Sequence, residues 1–365
     1  MNKTIGIISG NYGSDDFGPL LVNRSFASLP FGGRYRIVDF PLSNMVNSGL
    51  ETVGLISPYM YRSLIDHVGT GKAWGLSKKV GGLFILPGVP FGIQSQTKFL
   101  LNDLIQNKPF ITREKAENIL FCGTNVIMNM DFRPLIEEHE KSGATITLVY
   151  KKLDGDEKKK GLYFDISDSG RVDSIHYATA GCDNYFLDCM IARTKYVERF
   201  MEWYASMPHF DLLEIIARNL NNLNVRAYEF GGYTGIIYSA ADYMQANMDL
   251  LNEDVSDELF GGDNPILTKP QDTAPAYYSK SSKVKQSLVA NGCIIDGEVE
   301  NCIIFRSSVI KKGVKLRNSI LMQHCVIGEN AEITNAICDK YVTVQKGVRI
   351  EGGETPFIIG KNKEL

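Results

Sequence analysis

"VENCIIF" at 299–305, "LRNSILM" at 316–322 and "ITNAICD" at 333–339 are three copies of one pattern, and they decide the C-terminal fold. They place Asn301, Asn318 and Asn335 in equivalent positions, 17 residues apart each time. Between them run "SSVIKKGVKL" and "HCVIGENAEI", and "KYVTVQKGVRI" follows the last. Each unit alternates a short apolar strand with a turn of Gly, Asn or Lys. A period close to three hexapeptides predicts a left-handed parallel β-helix, whose coils stack one on the next. One coil cannot bury its own apolar edge, so the stack holds together as a unit. Roughly four coils fit between Val284 and Ile359. A small β-sandwich is the alternative, and the regular register argues against it.

The first 250 residues read differently. Short apolar strands ("TIGIIS", "TVGLIS", "NILFCG", "ATITLVY", "YFLDCMIA", "NVRAYEF") alternate with amphipathic stretches ("TKFLLNDLIQ", "RPLIEEHEKSG", "KYVERFMEWYA", "YMQANMDLLN"). That alternation predicts an α/β domain with a mostly parallel sheet covered on both faces. Ligands of such sheets sit beyond the carboxyl ends of the strands. "GGDNPILTKPQDTAPAYYSK", with Pro265, Pro270 and Pro275, reads as an extended linker. The expected division is 1–255 for the α/β domain, 256–283 for the linker and 284–365 for the β-helix. "KKLDGDEKKKG" from Lys151 reads as a solvated loop.

Composition narrows the function. A chain of 365 residues is long enough for two cores, and 44% hydrophobic with 22% charged residues is ordinary for a globular protein. A net charge of −3 gives no broad basic field, which disfavours non-specific nucleic-acid binding. No apolar run approaches the roughly 18 residues of a membrane helix. "MNKTIGIISG" ends its apolar burst at Gly10 and reads as a first strand rather than a signal peptide, so the expected compartment is the cytoplasm. The seven cysteines (Cys122, Cys182, Cys189, Cys293, Cys302, Cys325, Cys338) show no C-x-x-C pair and no matching His spacing. They read as small buried hydrophobes. His67, His139, His176, His209 and His324 are scattered, without a second ligand at regular spacing.

"FGGRYRIVDFPLSN" at 31–44 raises a sharper question. Adjacent glycines lead into a basic, aromatic, strand-like run and then into a Ser-Asn pair suited to cap a helix. The segment reads as one that lays backbone against an anion, yet "SGNYGSDDFG" and "NRSFASLP" before it lack the basic residues of phosphate chemistry. Together with "VGLISPYMYRSLIDHV", "YMQANMDLL" and the β-helix, this stretch resembles the ADP-glucose pyrophosphorylases (glucose-1-phosphate adenylyltransferases) of bacterial glycogen synthesis over nearly the whole chain. Those enzymes carry F-G-G-K-[YF]-R-I-I-D-F-x-L-S-N-x-x-N-S-G. The resemblance implies a Rossmann-like, GT-A-like nucleotidyltransferase domain followed by the β-helix. Its chemistry is attack of glucose 1-phosphate on the α-phosphorus of ATP, where positioning and charge neutralisation do most of the work.

Measured against that family, the catalytic equipment is missing. The loop G-G-x-G-T-R-L reads "SGNYGSDDFGPLL" here: Gly10 and Gly13 remain as a nucleotide-loop remnant, no arginine follows, and Asp15 and Asp16 would repel a polyphosphate. The lysine of K-P-A-V is matched by Phe26, the Mg²⁺-holding aspartate of A-G-D by Thr124, and the second aspartate, before the A-N-x-D-L helix, by Ile236. "SIHYATAGC" runs where E-K-P would bind the sugar phosphate. Losing one electrostatic stabiliser costs on the order of 10² to 10³ in rate, and both metal-holding carboxylates are absent together.

The chain therefore resembles the non-catalytic, regulatory (GlgD-type) subunits of the family. This implies no catalytic residue, metal or cofactor of its own, with Mg²⁺ only at a catalytic partner. It also implies a hetero-oligomer with that partner, as a tetramer, with a homotetramer as the variant. Arg24, Arg36 and Lys340 match positions that hold a sugar-phosphate activator, such as fructose 1,6-bisphosphate, between the two domains of relatives. Pro30 replaces a histidine found there in some relatives, so effector preference is expected to differ. Within the chain alone, Arg36 paired to Asp39 and a solvated Lys340 are the bland alternatives. An active adenylyltransferase with metal on Asp15, Asp16 or Asp131 is the competing function, although Asp131 also reads as a helix cap. A hexapeptide acyltransferase would need a repeat histidine, and only His324 lies there. Trp74 in "GKAWGL" resembles the family's loop near the nucleotide, with packing as the other reading.

Overall fold

The computed structural model describes residues 2–10, 15–57, 60–88, 98–153, 159–177 and 183–365. The N-terminal sheet is built from β1 (Thr4–Ser9), β4 (Thr52–Ser57), β5 (Gly82–Pro87), β6 (Asn118–Cys122), β8 (Ile146–Lys152), β9 (Leu162–Ile166), β10 (Val172–Tyr177), β11 (Asn184–Arg193) and β12 (Val225–Glu229). Two small ladders flank it: β2 (Pro30–Phe31) with β3 (Tyr35–Arg36), and β7 (Val126–Ile127) with β13 (Gly235–Ile236). Strands β6, β1, β4 and β5 run parallel in that order, and β12 runs parallel to β8. The long β11 enters antiparallel beside both β6 and β8, so the sheet is mixed at that seam. The near-continuous apolar runs in β1, β4 and β6 follow from burial on both faces.

Helix α1 (Asp39–Asn47) begins inside the "VDFPLSN" run. The strand expected there is only two residues long, and Ser43 and Asn44 sit within the helix rather than at its cap. Ser43 donates to the Asp39 carbonyl (2.6 Å) and Asn44 to the Met128 carbonyl (3.0 Å). Helix "TKFLLNDLIQ" starts late, at Leu101. The N–H groups of Lys98 and Phe99 are already taken by the Asp211 carboxylate (2.6 and 2.7 Å), which also accepts from Leu213 (2.8 Å) and caps Leu212–Arg218.

The C-terminal repeats form a three-faced, left-handed parallel β-helix. One face stacks Tyr277–Tyr278, Ile294–Ile295, Val309–Ile310, Val326–Ile327 and Thr343–Val344, with Ile295, Ile310, Ile327 and Val344 buried inside. On the next face Glu298 pairs with Lys315 and Lys315 with Glu332, each 17 residues on, whereas Lys283 meets Glu298 after only 15. Asn301, Asn318 and Asn335 turn the corners in the left-handed region (φ 53, 42 and 52°), which Asn tolerates better than most residues. Asn301 donates to Asn318 Oδ1 at 2.6 Å, one coil on, and Asn335 donates to the Gly353 carbonyl at 2.6 Å. A helix, Glu253–Phe260, crosses the expected start of the linker, and near its expected end Tyr277–Tyr278 already pairs into the first coil. The extended connection is what lies between.

The two halves share a core. Phe17, Leu20, Phe26, Phe31, Phe40, Tyr243 and Leu250 pack with Ile303, Phe305, Ile320, Met322 and Ile337 of the β-helix in one buried cluster. The glycine pair belongs to this junction. Gly32 and Gly33 turn the β2–β3 hairpin at φ 55 and 77°. The Gly32 N–H donates to Asn247 Oδ1 (3.0 Å), and a Cβ on Gly33 would stand 2.5 Å from Leu288 Cδ2. The backbone read as an anion cradle therefore seats the β-helix instead.

Candidate functional site

Two places gather the residues singled out from sequence. The first is the cleft at the carboxyl ends of β1 and β6. Gly10 closes β1, its N–H donating to the Ile56 carbonyl (3.0 Å), while Gly13 and the side chain of Asp15 lie outside the described residues. Phe26 is 2% exposed and stacks edge-on to Phe17 (5.2 Å between centroids), so it is part of the junction core. Thr124 is fully buried and its hydroxyl donates to the Ser9 carbonyl (3.4 Å). Ile236, opposite Val126 in the β7–β13 ladder, packs into the core. A donor hydroxyl and an aliphatic chain make no pair of ligands for a hard cation.

A cation is nonetheless present there. The Lys98 ammonium pairs with Asp188 and with the Tyr238 hydroxyl, and lies 4.9 Å from the Tyr238 ring centroid. Side-chain exposure is 3% for Lys98 and 1% for Asp188. Asp188 sits in the left-handed region (φ 51°) where β11 shifts register between Phe186 and Met190. Its carbonyl accepts from Gly123 (2.7 Å), one residue before Thr124. Tyr238 also donates to Asp188 Oδ2 (3.4 Å). Burial pushes the Asp188 carboxyl up, and the Lys98 charge works against that. Asn125, 1% exposed, is close enough to help steady the Asp188 carboxylate, although neither atom of its side-chain amide makes a well-formed hydrogen bond. The Mg²⁺ implied by the family does not fit: an ammonium stands in the cleft and the two expected carboxylates are absent. Among the described residues no cluster of three or more His, Cys, Asp or Glu could hold a metal.

Two of the three aspartates of the competing function, Asp131 and Asp16, have basic partners. Asp131 takes the Arg133 guanidinium on both oxygens (2.9 and 2.7 Å), and Arg133 holds its carboxyl below the usual range. It accepts the Arg133 N–H (2.9 Å) from one place before the cap position of Arg133–Lys141, which Phe132 occupies. Asp16 lies 3.6 Å from Lys160. Trp74 is 3% exposed and meets His67 edge-on at 5.8 Å, a packing arrangement. The described cysteines are free and buried; Cys182 lies outside the described residues.

The second place is the junction itself, where Arg24, Arg36 and Lys340 converge although about 300 residues separate them in sequence. Arg24 is 5% exposed; its Nη2 donates to both Asp339 oxygens (2.6 and 2.7 Å), and its Nη1 lies 3.5 Å from Met322 Sδ. Arg36 donates to the carbonyl and hydroxyl of Ser63 (2.5 and 2.8 Å). Asp39, the bland partner for Arg36, accepts only its backbone N–H (3.0 Å) and meets His67 Nε2 at 2.5 Å. Lys340 is not a solvated corner. Burial first, then Arg36 and Arg24, push its ammonium down to about 7, with Asp339 opposing and Lys361 adding to the repulsion. Burial likewise lowers Arg36 to about 10. Arg24, Arg36 and Lys361 thus all act on the Lys340 ammonium, with Asp339 opposing them, while Asp39 and Asp66 act in the opposite sense on Arg36. Sequence reasoning missed Asp339, which closes "ITNAICD", and the Lys98–Asp188 pair.

Comparison with known proteins agrees with both halves of the architecture. Residues 7–176 match the nucleotidyl transferase family, and residues 270–355 match the GlmU-like, C-terminal hexapeptide family. The chain is 30% identical to the glycogen biosynthesis protein GlgD of Bacillus subtilis (strain 168), over 99% of this chain and 96% of that one. It is 33% identical to the GlgD protein of Geobacillus stearothermophilus, over 86% and 82%. The glucose-1-phosphate adenylyltransferase of Bacillus anthracis is 28% identical over 94% of this chain and 93% of its own length. No described helix is long and apolar enough to cross a membrane. With its nucleotidyltransferase sheet, its β-helix and a near full-length match, the chain belongs to the GlgD family of glycogen biosynthesis proteins, relatives of the glucose-1-phosphate adenylyltransferases.

Proposed function

We propose that this chain is a regulatory, catalytically deficient subunit of a glucose-1-phosphate adenylyltransferase (ATP + glucose 1-phosphate to ADP-glucose + diphosphate). It works in the cytoplasm, in glycogen biosynthesis, as part of a hetero-tetramer with a catalytic partner. The observation that carries this is the cleft: Thr124 and Ile236 stand where metal-holding carboxylates would be needed, and the buried Lys98 ammonium is paired with Asp188 of β11, the strand beside β6. Adenylyl transfer places negative charge on the phosphate oxygens and the leaving diphosphate, and the Lys98 charge is already neutralised by Asp188. Regulation is assigned to the junction, where Arg24, Arg36 and Lys340 would take the two phosphates of a sugar bisphosphate. Such an anion would offset the burial and the cation repulsion that together hold Lys340 near 7, and it would touch both halves at once.

The test is ADP-glucose synthesis by the purified chain alone, by a catalytic partner alone, and by the two together. Little turnover alone and a clear gain in the mixture are expected. Turnover by the isolated chain near that of the partner would overturn the assignment. Isothermal titration with fructose 1,6-bisphosphate addresses the junction; unchanged binding in an Arg24→Ala, Arg36→Ala, Lys340→Ala triple variant would reject it.

A further inference from the structure

The misfit between cleft and metal has a positive counterpart in Lys98. Its backbone is pinned by Asp211, which accepts from both Lys98 and Phe99. Its side chain crosses a buried space to end between Asp188 and Tyr238. Asp188 reaches that point only because β11 breaks register and Asp188 adopts a left-handed φ of 51°, an arrangement that costs of order 1 kcal/mol or more for a non-glycine residue. Around the ammonium stand the Asp188 carboxylate, the Tyr238 phenol and, beside Asp188, the Asn125 amide. The Asn125 backbone carbonyl is held by the Ile237 N–H (2.8 Å), and Thr124 adjoins it in the chain. Take the lysine away, and what remains is a carboxylate with neutral oxygen groups about a small hole, the chemistry of a hard-cation site.

We propose that Lys98 is the built-in cation of this cleft. Its ammonium, paired with Asp188, takes the position that a divalent ion would take beside the β6 end, so the cleft is closed to metal and needs none for its stability. This rests on the assignment of the chain as catalytically deficient. The two fail separately: ADP-glucose formation by the isolated chain would sink that assignment, whereas the measurements below bear on the cation alone.

The wild-type chain is titrated with Mn²⁺ and free Mn²⁺ is followed by electron paramagnetic resonance. No saturable binding is expected; a bound ion that Asp188→Asn removes would overturn the proposal. Thermal melts are then run on Lys98→Ala and on Lys98→Ala with Asp188→Asn. Lys98→Ala leaves a buried carboxylate uncompensated, so its midpoint should fall by at least about 5 °C. Adding ethylammonium or Mn²⁺ at about 50 mM should recover half or more of the loss, because each binds only the folded cavity. With Asp188→Asn also present, the fall should be smaller and the added cations should do nothing. If Lys98→Ala does not accumulate as folded protein, the second substitution should restore it. Unchanged stability of Lys98→Ala, no rescue by either cation, rescue that survives Asp188→Asn, or no recovery on adding Asp188→Asn would each reject the built-in cation.

Discussion

Asp339→Asn is the sharpest perturbation of the junction. The carboxylate is 1% exposed and shares the Arg24 Nη2 between its two oxygens at 2.6 and 2.7 Å, and it also accepts the Lys340 N–H at 2.7 Å. Replacing it by an amide of the same shape removes the negative charge paired with Arg24, which is itself 5% exposed and also meets the Met322 sulfur and neighbouring cations. Breaking one partner of a buried ion pair costs roughly 3–5 kcal/mol. The amide keeps an acceptor oxygen, which places the cost near the lower end, about 3 kcal/mol. At roughly 2–4 °C per kcal/mol for a large domain, the thermal midpoint should fall by about 6–12 °C. Differential scanning calorimetry measures it directly. Replacing both partners, Arg24→Met with Asp339→Leu, should recover most of the loss, because an apolar pair carries no desolvated charge. A fall below about 2 °C for Asp339→Asn, or a double variant as unstable as the single one, would show that the pair does not join the halves as described.

Three further outcomes are expected. Lys340 has its folded pKa lowered from 10.5 to about 7, so between those values the unfolded chain binds the extra proton and stability rises with pH. Urea melts at about pH 7 to 10 should show that rise, and Lys340→Met should flatten it; an unchanged slope would refute the assignment. Gly33→Ala forces an alanine to φ 77° and sets its Cβ 2.5 Å from Leu288 Cδ2, which should cost at least about 1–2 kcal/mol, with Gly33→Val worse because its branches add to that clash; equal stability by urea melts would be inconsistent with the hairpin. Asn318→Ala loses a left-handed corner and the 2.6 Å bond from Asn301, and should cost about 1–2 kcal/mol by the same measurement, whereas exposed Lys346→Ala should change stability by less than about 0.5.

The β-helix was legible because its signal is local and repeated: the asparagine corners recur at fixed spacing, and each marks a φ that few residues accept. Strands β1, β4 and β6 were legible as apolar runs because both their faces are covered. The hairpin at 31–36 was less so, since paired glycines mark a tight backbone whether the neighbour is an anion or, as here, Leu288. Arg24, Arg36 and Lys340 could be grouped only through family resemblance, because nothing local to either segment shows that the chain folds back over about 300 residues. Asp339 escaped notice for the same reason. Lys98 and Asp188 did leave a trace: one aspartate inside the apolar "YFLDCMIA" and one lysine ahead of "FLL" are charges with no reason to be there unless they meet.

The shared core bears on how such a chain can be rearranged by recombination. Domains joined by an extended connection are usually treated as interchangeable parts, and the stretch from 261 to 276 invites a cut. A hybrid made there would inherit an Ile303–Ile320–Ile337 column shaped for someone else's aromatic residues, a hairpin tip without its Leu288, and an arginine facing a stranger across the seam. The heritable unit is the whole chain, and the two architectures must drift together.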